Sequence, residues 1–240
     1  TRGFRFEEGG AADLPGEVAE IFDLFGVEVC TVDISLRFSR AASSSAAIEP
    51  VAFAGEMAID EAAGAFKRFP YPLRNLTARI DFDDMMIHLK ELVANGSGES
   101  VIRMSGEVSS VAQPSVDIHL DSTDLPLDAA LIDAMPSGAR TMMRSLFAKH
   151  GALTTVPPNG PVGNHELVGL DLDIHRAEGL EEDTFLSGFI NFDQLDITAD
   201  DFPYPINLGK GRLHWHDSQL DIENATGDGP VTMRTYGGGE

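Results

Sequence analysis

Apolar and polar residues alternate with a period of two along most of this chain. From Leu76 to Phe82 every second residue is apolar and the residues between them are polar, and the runs 32–38 and 170–175 alternate in the same way. This is the pattern of β-strands that have one dry face and one wet face. Turns rich in Gly, Asn, Asp and Ser separate the runs. The chain is therefore predicted to be mainly β, with short antiparallel strands joined as a meander.

The period changes to that of an amphipathic helix in two places. Apolar residues between Ala139 and Phe147 recur at helical spacing, which predicts a helix over 137–149. A similar stripe, opened by a proline and ended by a glycine, predicts a helix over 15–25. A short helix over 128–134 is expected just before the later one.

A tetrapeptide of alternating aromatic residues and prolines occurs twice, at 69–72 and at 202–205, which are 133 residues apart. The strand patterns before and after each copy also match, and Trp215 falls where the first copy has Phe82. A long internal period of this kind indicates a repeat architecture. The fold is therefore predicted as two tandem repeats of an antiparallel β-meander, each preceded by an amphipathic helix and together forming one continuous, curved, groove-like sheet. The repeats are predicted over 1–134 (helix 15–25, strands 27–123, short helix 128–134) and 135–240 (helix 137–149, strands 151–237).

The repeated Phe-Pro-Tyr-Pro segment is predicted to lie between strands. Two prolines remove two backbone donors and bias the preceding residues toward extended geometry, so the segment is unsuited to the middle of a sheet. We expect a stiff, extended crossover at 69–72 and at 202–205, with a ligand-binding loop as the alternative.

Glycines recur in phase with the apolar positions. Gly55 and Gly188 occupy matching places in the two copies. Glycine inside a strand permits a bulge, a bend or the close approach of another group. These positions favour a curved sheet with a concave apolar face.

The charge of the chain excludes several partners. Its 17 basic and 39 acidic residues give a formal net charge of −22, which repels nucleic acid phosphates and anionic membrane surfaces. Cys30 is the single cysteine, so neither a disulfide nor a cysteine-based metal site is expected. No run of apolar residues is long enough to span a membrane as a helix.

Candidate chemistry is sparse, and no enzyme, cofactor or metal is expected. None of the common nucleophile, phosphate-binding or zinc-protease motifs occurs. His214 and His216, with Asp217 nearby, would share one face of a strand and could chelate a transition metal. The matching positions of the first copy are Asp81 and Asp83, so an exposed polar face explains both copies and metal binding is not predicted.

The dry face is the feature most relevant to function. Ten or more such strands present more apolar area than a soluble monomer leaves in contact with water, and short helices cover only part of it. Either the sheet closes on itself as a core, or a groove stays open for an apolar ligand. The predicted lining positions are Ile34, Leu36, Met57, Ile59, Ile80, Phe82, Ile87, Leu89, Ile102, Met104, Leu172, Ile174, Leu186, Ile190, Phe192, Leu213, Trp215, Leu220 and Ile222.

Three stretches carry a family resemblance: the run 69–80, its weaker partner 202–213 and the run 124–131, together with Gly106 at the close of a strand. On these residues the chain resembles the AsmA-like envelope proteins and, more broadly, the bridge-like lipid-transfer proteins built of repeating β-grooves. The resemblance implies a non-enzymatic apolar-groove module that binds lipid acyl chains. Such a module would be part of a larger cell-envelope protein for lipid transport or outer-membrane maintenance.

The resemblance also implies a phospholipid or another acyl-chain lipid as the partner, and a periplasmic location with an inner-membrane anchor. The chain begins at Thr1 without an initiator Met, so we expect a fragment whose N-terminal anchor, and with it any membrane contact, lies outside the sequence. The residues leave a second interpretation open. In that interpretation the chain is a structural or adhesive β-repeat domain with a closed core and no ligand.

Overall fold

Strands joined by tight turns dominate the computed structural model of the chain. It describes residues 4–6, 26, 29–40, 51–67, 69–98, 100–109, 115–135, 137–147, 167–177, 184–193, 195–197, 206–216, 219–224 and 233–235.

The described residues form fourteen strands and two helices. The strands are β1 (Phe4–Phe6), β2 (Val29–Arg40), β3 (Val51–Phe66), β4 (Phe69–Asp83), β5 (Met86–Asn95), β6 (Val101–Ser109), β7 (Val116–Pro126), β8 (Leu167–Arg176), β9 (Thr184–Phe192), β10 (Leu195–Ile197), β11 (Ile206–Leu208), β12 (Gly211–His216), β13 (Gln219–Asn224) and β14 (Met233–Thr235). The helices are α1 (Ala129–Ala134) and α2 (Ser137–Phe147).

Eleven strands form one open antiparallel sheet in the order β1-β2-β3-β4-β5-β6-β7-β8-β9-β12-β13. Strands that follow one another in the chain are neighbours in the sheet up to β9, which is the usual arrangement of sequential antiparallel strands. The connection between β7 and β8 contains both described helices. The strands β10, β11 and β14 form a separate three-stranded sheet. The prediction of a mainly β chain of antiparallel strands is therefore confirmed, and eleven of the fourteen described strands form one open sheet.

Both described helices lie where the sequence predicts helices. Asp128 caps α1, because its Oδ1 accepts a hydrogen bond from the Leu131 N–H at 2.9 Å. The second helix, α2, is described to Phe147, and the last two residues of the predicted helix lie outside the described residues. The helix predicted over 15–25 lies outside the described residues.

The two helices pack at one end of the sheet. α1 contacts β4, α2 contacts β13, and the helices contact each other. We call the end of the sheet where β4 begins and β7 ends the helical end, and the opposite end, which holds the β4–β5 turn, the open end. An 11-residue helix is only about 16 Å long, whereas eleven strands side by side span about 50 Å. Residues outside the two described helices must therefore cover most of the apolar face.

Bulges change which residues of a strand face the core. Glu61, Asn75 and Asp124 have φ values of 57°, 48° and 58°, and register shifts accompany them in β3, β4 and β7. In β4, Tyr71 and Ala78 differ in parity, yet both are buried, because the bulge at Asn75 inserts one extra residue between them. Bulges of this kind also bend the strands that contain them.

The prediction that residues 69–72 form a crossover is wrong. They are the first residues of β4, and Phe69 pairs with Phe66 across the β3–β4 ladder. The prolines are tolerated because β5 pairs with β4 only from Arg74 onward, so in the described ladders the segment has one neighbouring strand. Both proline rings are exposed. The second copy, 202–205, lies outside the described residues.

The aromatic rings of this segment anchor β4 in the core. Phe69 and Tyr71 are almost completely buried, and their ring centroids lie 6.1 Å apart. The Tyr71 hydroxyl accepts a hydrogen bond from the Ser97 N–H at 2.9 Å. The segment therefore ties β4 to the turn that follows β5.

The two strand glycines singled out by the sequence lie beneath aromatic rings of the next strand in the sheet. Gly55 pairs with Phe82, and a Cβ added to Gly55 would lie 2.7 Å from the Phe82 Cζ. Gly188 pairs with Trp215, and its added Cβ would lie 2.9 Å from the Trp215 Cζ2. Close approach of a ring, one of the predicted reasons for glycine, applies at both positions.

Candidate functional site

Strand register places the predicted lining residues on one face of the 11-stranded sheet. Ile34, Met57 and Ile80 are consecutive partners across β2, β3 and β4, and Ile174 and Leu186 are partners across β8 and β9. The other lining residues follow the same rows. Leu220 pairs with Trp215, although its side chain is outside the described set. We call this surface the dry face and the opposite surface the wet face.

Most of the dry face is buried. Ile80 is 3% exposed, and Ile102, Leu172 and Trp215 are all 0% exposed. These side chains belong to one continuous core cluster that extends from Cys30 to Trp215. In this part of the sheet the lining residues pack against protein, as in an ordinary domain core.

Burial is lost toward the open end of β2 and β3. Leu36, Phe38 and Val51 are 49%, 67% and 54% exposed, and Phe53 is half-buried against the core. The Phe53 ring lies 6.4 Å from the Phe82 ring, centroid to centroid. We call these four residues, Leu36, Phe38, Val51 and Phe53, the open-end patch. Leu36 lies opposite Gly55, whereas Phe38, Val51 and Phe53 continue the dry-face alternation of β2 and β3 beyond the last β3–β4 pair, Ala54 with Asp83. The patch is therefore the accessible end of the dry face, where β3 has lost β4 as a neighbour.

The sequence did not predict which part of the dry face is buried and which part is exposed. Leu36 was among the predicted lining residues, but Phe38, Val51 and Phe53 were not. Periodicity assigns a residue to a face but not to a position along the groove. The signal that could have found them is their place at the ends of two strand runs, on either side of the segment 41–50.

The wet face holds clusters of charged residues. His119 on β7 and Asp173 on β8 are direct partners, and the His119 Nδ1 lies 2.9 Å from the Asp173 Oδ1. This hydrogen bond, together with the charges of Asp171 and Asp121, raises the pKa of His119. Ligand atoms of His119, Asp171 and Asp173 all lie within 4.8 Å of one another. The geometry is that of an exposed ion pair with an acidic neighbour.

The histidine weighed as a metal ligand has other partners. The His214 ring stacks on Phe189 with centroids 4.3 Å apart, and Arg212 lies 4.5 Å from the same ring on β9. Arg212 also binds Glu223 at 2.7 Å, which lowers the pKa of Glu223. His214 contacts the same carboxylate at 3.4 Å. The side chain of His216 and all of Asp217 lie outside the described residues.

A depression of about 580 Å³ lies over β2, β3 and β4. Most of its lining residues belong to the wet face, including Ser35, Glu56, Arg79 and Asp81. A surface lined by such residues suits water or ions rather than an acyl chain. Ile222, a predicted lining residue on the edge strand β13, is also exposed, at 41%. The open-end patch groups three exposed apolar side chains and one half-buried ring, so of these surfaces it fits an apolar ligand best.

Comparison with known proteins adds no relative: no protein-family model, no curated protein and no solved structure matches this chain. Among the described residues, neither helix has the length and apolar character that a membrane crossing requires. The assignment of function therefore rests on the residues and their geometry.

Proposed function

We propose that this chain is a non-enzymatic module that binds lipid acyl chains at the open end of its dry face. The observation that supports this most is the exposure of Leu36, Phe38 and Val51 on the same face of β2 and β3 as the buried residues Val32 and Met57. Large apolar side chains that cluster at the rim of an apolar surface are typical of binding sites. Burying one such side chain under a ligand is worth about 1.5–3 kcal/mol.

The proposal includes a two-repeat organisation with a groove-like sheet. Each proposed repeat has a glycine beneath an aromatic ring, Gly55 under Phe82 and Gly188 under Trp215. The ends of β3 and β4 also have a counterpart: Ala62 pairs with Leu76, much as Leu195 pairs with Leu208 across β10 and β11. One difference is that β14 pairs with β11 and lies in the separate three-stranded sheet.

The proposal also includes the context that the family resemblance implies. The module would belong to a larger cell-envelope protein that moves acyl-chain lipids through the periplasm or maintains the outer membrane. An envelope location is tested by fractionating cells that express the complete protein and following it with an antibody. A wholly cytosolic distribution would contradict this part of the proposal.

A second candidate function is a structural β-repeat domain with no ligand. The near-complete burial of residues such as Ile80, Ile102 and Trp215 favours it, because a packed interior leaves no space for an acyl chain. In this interpretation the open-end patch is simply an uncovered edge of the core.

Mass spectrometry of solvent extracts separates the two candidates. The chain is purified from a lipid-containing lysate without detergent, and the extract is compared with that of Phe38→Asp. The acyl-chain module should retain lipid near one molecule per chain, and Phe38→Asp should fold but lose most of it. Lipid-free wild-type protein would favour the structural domain. For both candidate functions the Ile80→Asp variant should be unfolded, because the substitution places an unpaired charge in the core.

A further inference from the structure

Charged side chains are divided unequally between the two faces of the 11-stranded sheet. Outside the bulges, strand register assigns each position to one face. In the described strands of this sheet every carboxylate lies on the wet face or at a bulge. The dry-face rows include two charged residues, Arg40 and Arg176, and both are cations.

Both arginines lie at the open end. Arg40 is the last residue of β2 and pairs with Val51, directly beside the Phe38–Phe53 pair of the open-end patch. Arg176 is the last residue of β8 and pairs with Val116. The series of dry-face positions along β2 and along β8 thus ends in a guanidinium group, in both cases at the open end of the sheet.

The surroundings of Arg40 match an amphiphilic ligand. Its side chain is exposed, and its aliphatic stem can lie along Val51 while the guanidinium group stays in water. The guanidinium group binds phosphate or carboxylate with two parallel hydrogen bonds. An acyl chain on Leu36 and Phe38 would place its polar head at this group.

We propose that the ligand of the open-end patch is an anionic amphiphile, with its acyl chain on Leu36, Phe38 and Val51 and its phosphate or carboxylate head at Arg40. This inference rests on the proposed acyl-chain function and adds the chemical class of the head group. It assigns to Arg40 a role in ligand selection that the acyl-chain function alone does not require.

The net charge of −22 does not prevent this selection. The strand carboxylates of the sheet lie outside the dry-face rows, mostly on its other side, and salt at physiological strength screens charges beyond about 8 Å. The nearest charge therefore dominates the interaction with a head group at the open end. The same screening predicts that the preference for an anionic head weakens as the salt concentration rises.

Calorimetric titration with two soluble single-chain lipids tests the inference. Lysophosphatidylglycerol and lysophosphatidylcholine with the same acyl chain are titrated, below their micelle concentrations, into wild type, Arg40→Gln and Arg37→Gln. Arg37 is the matched control, because it is exposed on the wet face of the same strand. Wild type and Arg37→Gln should bind the anionic lipid about fivefold more tightly than the zwitterionic one, the upper range for an exposed ion pair. Arg40→Gln should bind both lipids equally.

Different results identify different failures. Equal binding of the two lipids by wild type would overturn the anionic head group and leave the acyl-chain function standing. A preference that survives in Arg40→Gln would overturn the role of Arg40. Binding of neither lipid would overturn the acyl-chain function and the inference together. Inorganic phosphate that binds at the open end without an acyl chain would show a phosphate site instead, and would also overturn the inference.

Discussion

At the scale of single residues, Gly55 and Gly188 are dry-face positions where an added Cβ would collide both with a neighbouring backbone oxygen and with an aromatic ring. An added Cβ at Gly188 would meet the Trp215 ring and the backbone of β8 at distances that real Cβ atoms do not adopt. At Gly169 the nearest atom to an added Cβ is 3.5 Å away, an ordinary van der Waals contact. A methyl group at Gly188 would therefore displace its neighbours, whereas a methyl group at Gly169 would not, although both glycines lie in strands of the same sheet.

Gly188→Ala should lower the free energy of unfolding by about 1–3 kcal/mol, the usual cost of overpacking a core. Gly169→Ala, the matched control, should change it by less than about 0.5 kcal/mol. Urea unfolding followed by Trp215 fluorescence measures both variants. Equal effects at the two positions would show that the crowding around Gly188 does not set the requirement for glycine.

His119 contributes a pH dependence to stability. The Asp173 carboxylate raises the pKa of His119, so the charged imidazole is favoured in the folded state. The stabilisation is fully present below the unfolded pKa of about 6.5 and is lost as pH rises through the higher folded value. Because both side chains are about half exposed, the contribution should stay below about 1 kcal/mol.

The measurement is the difference in urea midpoint between wild type and Asp173→Asn at pH 5.5 and pH 8.5. We expect wild type to be favoured at the lower pH and the difference to shrink at the higher pH. Asp171 and Asp121 face His119 from the same two strands, so Asp121→Asn serves as the control with a smaller effect. A difference that grows with pH would contradict the assignment.

At the scale of elements, β4 shows both what the sequence predicted and what it did not. The alternation from Leu76 to Phe82 predicted the strand and its dry face. Residues 69–73 were not predicted to be part of the strand, because proline lacks a backbone donor. The sequence does not reveal that one side of the strand has no neighbour there, so that the missing donors cost nothing. The bulge at Asn75 also reverses the parity of the dry face, and no periodicity rule predicts such a reversal.

Tyr71 tests the new role of this segment. Tyr71→Phe removes the acceptor of the Ser97 N–H and should cost about 0.5–1.5 kcal/mol of unfolding free energy. Thr77→Val, at an exposed wet-face position of the same strand, is the control and should be close to neutral. Chemical denaturation measures both. A neutral Tyr71→Phe would mean that the hydroxyl does not tie β4 to the turn after β5.

The sequence predicted the face on which the candidate site lies, but not which part of that face is exposed. Alternation identifies the dry face because side-chain direction depends only on local geometry. Exposure along that face depends on what covers it, which is decided by contacts between residues far apart in the chain. Leu36 and Ile80 have the same pattern in sequence, yet Leu36 is exposed and Ile80 is buried. The pairing of His119 with Asp173 across 54 residues was hidden for the same reason.

At the scale of the whole molecule, the proposed function assigns two roles to one apolar surface, stability and ligand binding. The helical end and the centre of the dry face form the core that stabilises the sheet, and the open end presents the same rows to solvent. Stability should therefore respond to substitutions in the centre of the dry face, and ligand binding to substitutions at its open end. Variants of the core should unfold the chain, and variants of the open-end patch should leave it folded.

The central claim, that the open-end patch binds acyl chains, is tested most directly by titrating a fluorescent fatty acid into wild type, Phe38→Asp and Phe185→Asp. Phe185 is the matched control, because it is 51% exposed but lies on the wet face. Wild type and Phe185→Asp should bind the probe with the same affinity, and Phe38→Asp should bind it at least about tenfold more weakly, the loss of one buried aromatic contact. Equal binding by all three proteins, or no binding by wild type, would contradict the claim.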